Sequence, residues 1–263
     1  MEAAMDRARR FGGVARLYGE AGSERLRQAH ICVVGIGGVG SWAAEALARS
    51  GVGSITLIDL DMVAESNTNR QIHALGDEYG KAKVQAMAER IQAINPECRV
   101  IQIEDFVTPE NTAELLAQPF NGVIDAIDQA KAKVAILDHC VRRKLPVITV
   151  GAAGGQLDPT QVAIKDLAHT IQAPLLAKVR SQLRRAHGFP RDPKRKFGIG
   201  AVYSTEQLRY PTPEQSCEAS AGTPKAAGGP AGLNCAGFGS SVCVTSVFGM
   251  VAAAHLMRLV AEV

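Results

Sequence analysis

Short apolar runs alternate with amphipathic segments through the first 150 residues of the chain. The runs are rich in β-branched residues and predict buried strands at residues 31–34, 54–58, 100–103, 122–124 and 147–150. The helical spacing of apolar positions predicts helices at residues 39–50, 81–94, 111–116 and 130–143. This alternation predicts an α/β protein with a doubly wound, mostly parallel sheet covered by helices.

The pattern weakens after residue 155. Extra strands are predicted at residues 161–165 and 202–204, and residues 211–232, rich in Pro, Gly, Ser and Ala, are expected to form a long mobile loop. Residues 236–260 carry no charge until Arg258, so a membrane-spanning helix is one interpretation. The many small residues of this segment and its His255 favour a buried terminal helix instead.

A glycine-rich turn joins the first strand to the first helix. The run contains Gly35, Gly37, Gly38 and Gly40: Gly35 permits the tight turn, Gly37 lets a ligand approach the backbone, and Gly40 lets the helix pack on the strand. Asp59 ends the second strand, 19 residues after Gly40, where a carboxylate can accept the hydrogen bonds of a ribose diol. This combination predicts a Rossmann-like nucleotide-binding fold, for which NAD, FAD and ATP are all suitable ligands.

Two cations and a carboxylate beyond the second strand favour a triphosphate ligand. Arg70 and Lys83 would offset the charge of the β- and γ-phosphates, and Asp128, at the end of a later strand, can hold Mg²⁺. Each residue has another interpretation: Lys83 as a solvated helix residue, Arg70 as the ion-pair partner of Asp61, and Asp128 as a helix N-cap. The ordered set is much less probable by chance than any one member.

Composition adds few constraints. The net charge of +3 does not by itself imply a polyanionic partner, and the 46% hydrophobic fraction is ordinary for a globular protein. The six cysteines, Cys32, Cys98, Cys140, Cys217, Cys235 and Cys243, form no CxxC pair, so no zinc site is expected. The first 13 residues have no apolar core of a signal peptide, and we expect a reducing cytoplasm.

The motifs GIGGVG, LIDLD, NTNRQ, GKAK and DAID, in this order and spacing, resemble the adenylating enzymes of the ubiquitin-activating superfamily. The bacterial branch of that superfamily includes the sulfur-carrier activators. The resemblance implies that a substrate carboxylate attacks the α-phosphate of ATP–Mg²⁺, which gives an acyl-adenylate and pyrophosphate.

Further segments are similar to one bacterial branch whose members dehydrate N6-threonylcarbamoyladenosine at position 37 of tRNA. They are RFGGVARLYG, NTNRQIHAL, AERIQAINPECRV and GGQLDPTQ, and the similarity covers residues 10–263. This resemblance implies that adenylation of the free carboxylate is followed by closure of a five-membered ring within the same modification, with release of AMP. Because that closure is intramolecular, no enzyme nucleophile is needed.

The resemblance also implies roles for individual residues. Arg70, Lys83 and Asp128 would act on the phosphates and Mg²⁺, and Arg16 would reach into the site of a neighbouring subunit, so a homodimer is expected. The nucleotide would be bound by Gly35, Gly37, Gly38, Gly40, Asp59, Asp61, Asn67, Asn69, Arg70 and Lys83. We predict one domain, residues 1–263, with a helical arm (1–30), a nucleotide-binding core (31–155) and a C-terminal dimer and substrate part (156–263).

Residues 178–196 hold eight cations and a single acid, Asp192. Such a stretch is typical of surfaces that contact a nucleic-acid backbone, although a solvated charged helix is the alternative. The predicted tRNA contacts are Lys178, Arg180, Arg184, Arg185, Lys194, Arg195 and Lys196. The resemblance aligns Cys235 with a cysteine of the tRNA-modifying branch and implies an exchange of sulfur or electrons with a cysteine desulfurase partner. No neighbouring cation marks Cys235 as a reactive thiol.

Three other functions remain open from the sequence. Sulfur-carrier activation is the first, although the chain has Gln129 where those enzymes usually have Asn and lacks their paired CxxC sites. The second is a NAD-dependent oxidoreductase on the same fold. The third is a non-catalytic nucleotide-sensing module.

Overall fold

A computed structural model describes residues 5–210 and 238–262. Its strands are β1 His30–Val34, β2 Ser54–Ile58, β3 Arg99–Ile103, β4 Gly122–Asp125, β5 Val147–Val150, β6 Val162–Asp166 and β7 Gly200–Ser204. Its helices are α1 Arg7–Gln28, α2 Gly40–Arg49, α3 Lys83–Ile94, α4 Thr112–Leu115, α5 Ala130–Arg142, α6 Pro174–Ala186 and α7 Val242–Ala261. The loop predicted at residues 211–232 lies outside the described residues, as does Cys235.

Within the described residues, seven strands form one sheet in the order β3-β2-β1-β4-β5-β7-β6. All neighbouring pairs are parallel except β6 with β7. The chain winds outward from β1 through β2 to β3, and then crosses back to β4 beside β1. The predicted doubly wound, mostly parallel sheet is therefore confirmed, and its switch point between β1 and β4 is where such sheets bind ligands.

Most predicted elements agree with the structure to within two residues, and the differences have local causes. The third helix begins at Lys83 and not at residue 81, because Val63 N donates to Lys81 O and Met62 bridges to Ala82 before the helix starts. Strand β6 begins at Val162 because residues Pro159–Gln161 form a 3-10 turn capped by Asp158.

The apolar C-terminal segment forms helix α7 against the core. Val244, Phe248, Ala252 and Leu256 are fully buried on one side of α7, while Leu259 stays 51% exposed. A Cβ on Gly249 would collide with the backbone of α2 at Val39 O and Ala43 N, so glycine permits the two helices to touch. In the part of the chain that the structure describes, α7 is the one helix long and apolar enough to cross a membrane, and one of its faces is buried against the core.

Helix α1 packs across α7 and changes direction at Gly19, whose φ of 72° and ψ of 160° are not helical. A φ in this region favours glycine over residues that carry a Cβ. The predicted helical arm is therefore a bent helix in which Phe11 and Leu26 are buried.

Candidate functional site

A cavity of about 450 Å³ opens at the carboxyl ends of the parallel strands. Its wall includes Val34 and Ile58, which end β1 and β2, and Ala126 and Gly151, which follow β4 and β5. Parallel strands present their carboxyl ends at one edge, so residues far apart in sequence meet there.

The glycine-rich turn between β1 and α2 forms part of the cavity wall. Gly35 has a φ of 86°, and a Cβ at Gly40 would overlap Gly35 O, so the turn and the start of α2 require glycine. A Cβ at Gly37 would meet nothing within 4 Å, which leaves the backbone open to the cavity. Gly38 lies against the methylenes of Arg70.

Asp59 fixes this loop from the end of β2. Its carboxylate accepts hydrogen bonds from Ile36 N at 2.6 Å and from Asp61 N at 2.9 Å. Burial raises the pKa of Asp59, an effect that the nearby Lys83 ammonium and the two backbone donors oppose. Each carboxylate oxygen has a second lone pair, so ribose hydroxyls can still donate to this residue.

The NTNRQ segment is held beside the glycine loop by its own hydrogen bonds. The side chain of Asn67 accepts from Ala64 N, and Trp42 Nε1 donates to Arg70 O at 2.9 Å. The Asn69 amide donates to Ser240 O at 3.0 Å, which ties this segment to the residues that lead into α7. These contacts hold the segment at the cavity, where Asn67 and Arg70 are lining residues.

Arg70 and Lys83 both line the cavity, and their partners settle two alternatives left open by the sequence. Lys83 donates to Asp61 Oδ2 at 2.7 Å, and its side chain is only 8% exposed, so it is not a solvated helix residue. Arg70 does not pair with Asp61: its guanidinium donates to Ser66 O and to the Asn69 side chain. Partial burial lowers the pKa of Arg70.

Asp128 lines the same cavity beyond the end of β4. The cap position of α5 is Gln129, whose side chain makes no capping hydrogen bond, and Asp128 lies one residue before it. Within residues 5–210 and 238–262, no three His, Cys, Asp or Glu side chains are grouped so as to hold a metal by themselves. A metal at Asp128 would therefore need ligands from a bound molecule. Mg²⁺ meets that need in nucleotide sites through phosphate oxygens and water.

Two of the predicted groups lie away from the cavity. Arg16 is exposed on α1, and its guanidinium lies over Gly12 and Gly13 of the same helix. Lys194, Arg195 and Lys196 are exposed and precede β7 by a few residues. Because β7 runs parallel to β5, its amino end lies at the edge of the sheet opposite the cavity.

The remaining basic residues follow α6 away from the cavity. Pro174 and Leu175, at the start of α6, line the cavity, and Lys178 is exposed one turn further on. A second pocket, of about 320 Å³, lies alongside α6 and is lined by Ala177, Arg180, Ser181, Arg184, Arg185 and Arg191. Arg180 donates to Thr170 Oγ1, while Arg184 donates to Pro190 O and stacks over Phe197.

The structure adds site residues that sequence reasoning missed. Asp105, Phe106 and Val107 follow β3 and line one end of the cavity. Tyr210 and Phe238 form another part of its wall. Beneath the wall, Lys133 donates to Asp125 Oδ2 at 3.0 Å and to Thr149 Oγ1 at 3.1 Å, with both charged side chains fully buried. The eight-residue spacing of Asp125 and Lys133 across the DAID motif was the one sequence signal available for that pair.

The fold and the cavity define a protein of the α/β nucleotide-binding class, with Asp59, Arg70 and Lys83 in the wall of one cavity. The model of the ThiF family matches residues 11–263, and the chain belongs to that family. The confirmed family agrees with the adenylating superfamily expected from the sequence motifs.

Relatives named for one activity resemble the chain along nearly its whole length. It is 54% identical over 250 residues to the tRNA threonylcarbamoyladenosine dehydratase of Escherichia coli strain K12, an alignment that covers 95% of this chain and 92% of that protein. The protein of the same name from Haemophilus influenzae is 51% identical, covering 94% of this chain and 92% of its own length. The solved E. coli dehydratase in complex with ATP has a TM-score of 0.86 at 49% identity and covers 99% of this chain and 97% of that one.

Proposed function

We propose that this enzyme uses ATP to dehydrate N6-threonylcarbamoyladenosine at position 37 of tRNA, with release of AMP and pyrophosphate. The observation that carries the proposal is one cavity in which the glycine loop, Asp59, Arg70, Lys83 and Asp128 meet. The chain is also 54% identical to the E. coli protein named tRNA threonylcarbamoyladenosine dehydratase, and the alignment covers 95% of this chain.

ATP fits the cavity in one direction. Ribose hydroxyls donate to Asp59 at the end of β2, so the adenine lies toward β3, where Phe106 and Val107 line the wall. The phosphates then run the other way, along Gly37 and Gly38 to the amino end of α2. Free N–H groups at a helix amino end bind phosphate oxygens.

Arg70 and Lys83 offset the charge that develops as pyrophosphate departs. Asp61 holds Lys83 at 2.7 Å and so keeps the ammonium in position at the cavity wall. Bound phosphates compete with Asp61 for this ammonium. Groups already in position lose little free energy to reorganisation when the reaction occurs.

The reaction is then two displacements. The substrate carboxylate oxygen attacks the α-phosphorus of ATP, and the bond to the β-phosphate oxygen breaks, which gives an acyl-adenylate and pyrophosphate. A nitrogen or oxygen of the same modification attacks the activated carbonyl carbon, loses its proton and closes a five-membered ring as AMP leaves. The carboxylate oxygen departs on AMP, so the nucleoside loses one water overall.

Asp128 is the residue that would hold Mg²⁺. The fit rests on the carboxylate of Asp128 in the lining of the cavity that also holds the glycine loop, since ATP-bound Mg²⁺ commonly takes one or two protein carboxylates and completes its shell with phosphate oxygens and water. When bound, Mg²⁺ supplies positive charge that withdraws electrons from the phosphates.

The partners follow from the same proposal. A homodimer brings Arg16 of one subunit to the cavity of the other. The arginines of α6 bind phosphates of the tRNA stem while the modified anticodon loop enters the cavity, and the enzyme acts in the cytoplasm. Exchange of sulfur or electrons with a cysteine desulfurase partner would involve Cys235, which lies outside the described residues.

The test is a mass measurement on RNA. Purified protein is incubated with ATP, Mg²⁺ and tRNA that bears threonylcarbamoyladenosine, and the digested nucleosides are weighed. We expect a nucleoside lighter by the mass of one water. One AMP should be released for each nucleoside converted. Asp128→Ala and Arg70→Ala should abolish product while keeping a wild-type melting temperature, whereas Arg142→Ala, on the exposed end of α5, should remain active.

Two results would contradict the proposal. The first is an unchanged modified nucleoside together with AMP release that requires a small protein ending in Gly-Gly, which would identify a sulfur-carrier activator. The second is full activity of either cavity variant, which would show that the reaction takes place elsewhere.

A further inference from the structure

An aromatic pair stands at the wall of the cavity without a role in the steps above. The rings of Tyr210 and Phe238 lie 5.1 Å apart between centroids at an angle of 53°. Both residues line the cavity, and Tyr210 is 71% exposed. A large ring so exposed at a ligand cavity is available for stacking.

The backbone around Gly155 holds this pair in place. Arg209 N donates to Gly155 O, and Gly155 N donates to Gly239 O, both at 2.8 Å, so the residues next to each ring are bonded to one glycine. A Cβ on Gly155 would come within 2.9 Å of Phe238 Cδ1, and its φ is 73°. Glycine therefore lets the Phe238 ring lie directly on the backbone and support Tyr210.

The strand order places this pair away from the ATP base. The adenine lies toward β3, on the outer side of β2, whereas Gly155 follows β5. Neighbouring strands lie about 4.8 Å apart, so β5 is roughly 14 Å from β2 across the sheet. The aromatic pair is therefore on the far side of the phosphates, where the second substrate must present its carboxylate.

We propose that Tyr210, supported by Phe238, stacks on the modified adenine of the RNA substrate and so positions its carboxylate toward the α-phosphate. The proposal rests on the proposed function, because the ligand is the nucleobase that this function implies. Every nucleobase has a π-face that stacks on an aromatic ring, and base–aromatic stacks are a main source of affinity for unpaired RNA. The arginines along α6 line a separate pocket and supply positive charge for phosphates, whereas Tyr210 supplies an aromatic ring for a base in the main cavity.

Three variants of Tyr210 test the stack. Tyr210→Phe retains the ring, Tyr210→Leu retains apolar bulk without a π-face, and Tyr210→Ala removes both. With a modified anticodon stem-loop as substrate, we expect the KM for RNA to rise about 5- to 100-fold for Ala, and nearly as much for Leu, as for the loss of one base–aromatic stack. The Phe variant should stay near wild type, and the KM for ATP should not change in any of the three.

A spectroscopic measurement tests the contact itself. The chain has one tryptophan, Trp42, so Tyr210→Trp adds a second fluorophore at the cavity. Adding the modified stem-loop should quench the fluorescence of Tyr210→Trp well beyond any change in wild type, as expected for an indole stacked on a base.

The outcomes separate the two proposals. Suppose that wild type dehydrates the stem-loop, but Tyr210→Ala keeps the wild-type KM for RNA or Tyr210→Leu has the same KM for RNA as Tyr210→Phe. The proposed stack of Tyr210 on the modified adenine is then wrong, and the proposed function stands. If wild type does not dehydrate the modified RNA at all, the proposed function is wrong, and the proposed stack of Tyr210 is wrong with it. A rise in the KM for ATP equal to that for RNA would assign Tyr210 to general cavity structure and also contradict the stack.

Discussion

Gln71, the last residue of the NTNRQ segment, and His73, two residues further on, are both buried. His73 is 2% exposed, and among the described residues neither of its ring nitrogens has a hydrogen-bond partner. Burial, reinforced by the nearby charges of Lys83 and Arg90, lowers the pKa of His73 to about 4. The ring is therefore neutral in the folded protein at pH values where the unfolded chain already binds a proton.

This difference predicts a pH dependence of stability. Above pH 6.5 the ring is neutral in both states, and as the pH falls toward 4 only the unfolded state gains the proton, so the free energy of unfolding declines. The decline from His73 should be about 3 kcal/mol across that window. We expect His73→Gln to show a shallower fall in urea-unfolding free energy between pH 7 and pH 4.5. Parallel curves for the two proteins would contradict the buried neutral ring.

At the scale of elements, the contact between α2 and α7 depends on Gly249. Alanine is the better helix former by about 1 kcal/mol, so propensity alone predicts that Gly249→Ala stabilises α7. The collision with the backbone of α2 predicts the reverse, a loss of about 1–3 kcal/mol from overpacking. Thermal unfolding decides the sign. The matched control is Gly13→Ala in α1, where an added Cβ meets only the end of the Arg16 side chain; equal effects at both sites would contradict the collision.

The pocket beside α6 predicts an electrostatic effect on RNA binding. Arg185 and Arg191 line it and take no part in the contacts that Arg180 and Arg184 make to Thr170 and Pro190. We expect the double variant Arg185→Gln, Arg191→Gln to raise the Kd for tRNA and to reduce the slope of log Kd against log salt by up to about 2.

The control for these arginines is the double variant Arg27→Gln, Arg99→Gln, which removes the same charge. Arg99 begins β3, at the opposite end of the sheet from β7. An equal loss of tRNA affinity in this control would show that net charge, and not the pocket beside α6, attracts the RNA.

The sequence predicted those elements and site residues that depend on local pattern. β-Branched runs located the strands, and because parallel strands bring their carboxyl ends together, Asp59, Arg70, Lys83 and Asp128 could be expected in one place. Contacts made by tertiary packing could not be predicted. Tyr210 and Phe238 meet across residues outside the described part of the chain, and no periodic pattern relates them.

At the scale of the whole molecule, the proposed homodimer predicts complementation between inactive variants. Arg16→Ala and Asp128→Ala should each be inactive alone, since every cavity lacks one required residue. After subunit exchange, a mixed dimer contains one cavity with both residues intact, so an equal mixture should recover about a quarter of wild-type activity.

The matched control mixes Arg70→Ala with Asp128→Ala. Arg70 and Asp128 line the cavity of the same subunit, so no mixed dimer has an intact site and no activity should return. Recovery in this control, or a monomer by light scattering, would contradict the contribution of Arg16 from a neighbouring subunit.

The hydrogen bonds from Asn69 to Ser240 carry a thermodynamic consequence. Asn69 stands next to Arg70, the proposed phosphate contact, and Ser240 stands two residues from Phe238, which supports the proposed base-stacking residue Tyr210. Hydrogen bonds and short stretches of chain therefore connect the two proposed substrate positions. We expect that a shift of this connection by either ligand changes the free energy of binding of the other. Thermodynamic linkage then requires that the two effects be equal: the factor by which bound ATP changes the affinity for RNA is the factor by which bound RNA changes the affinity for ATP.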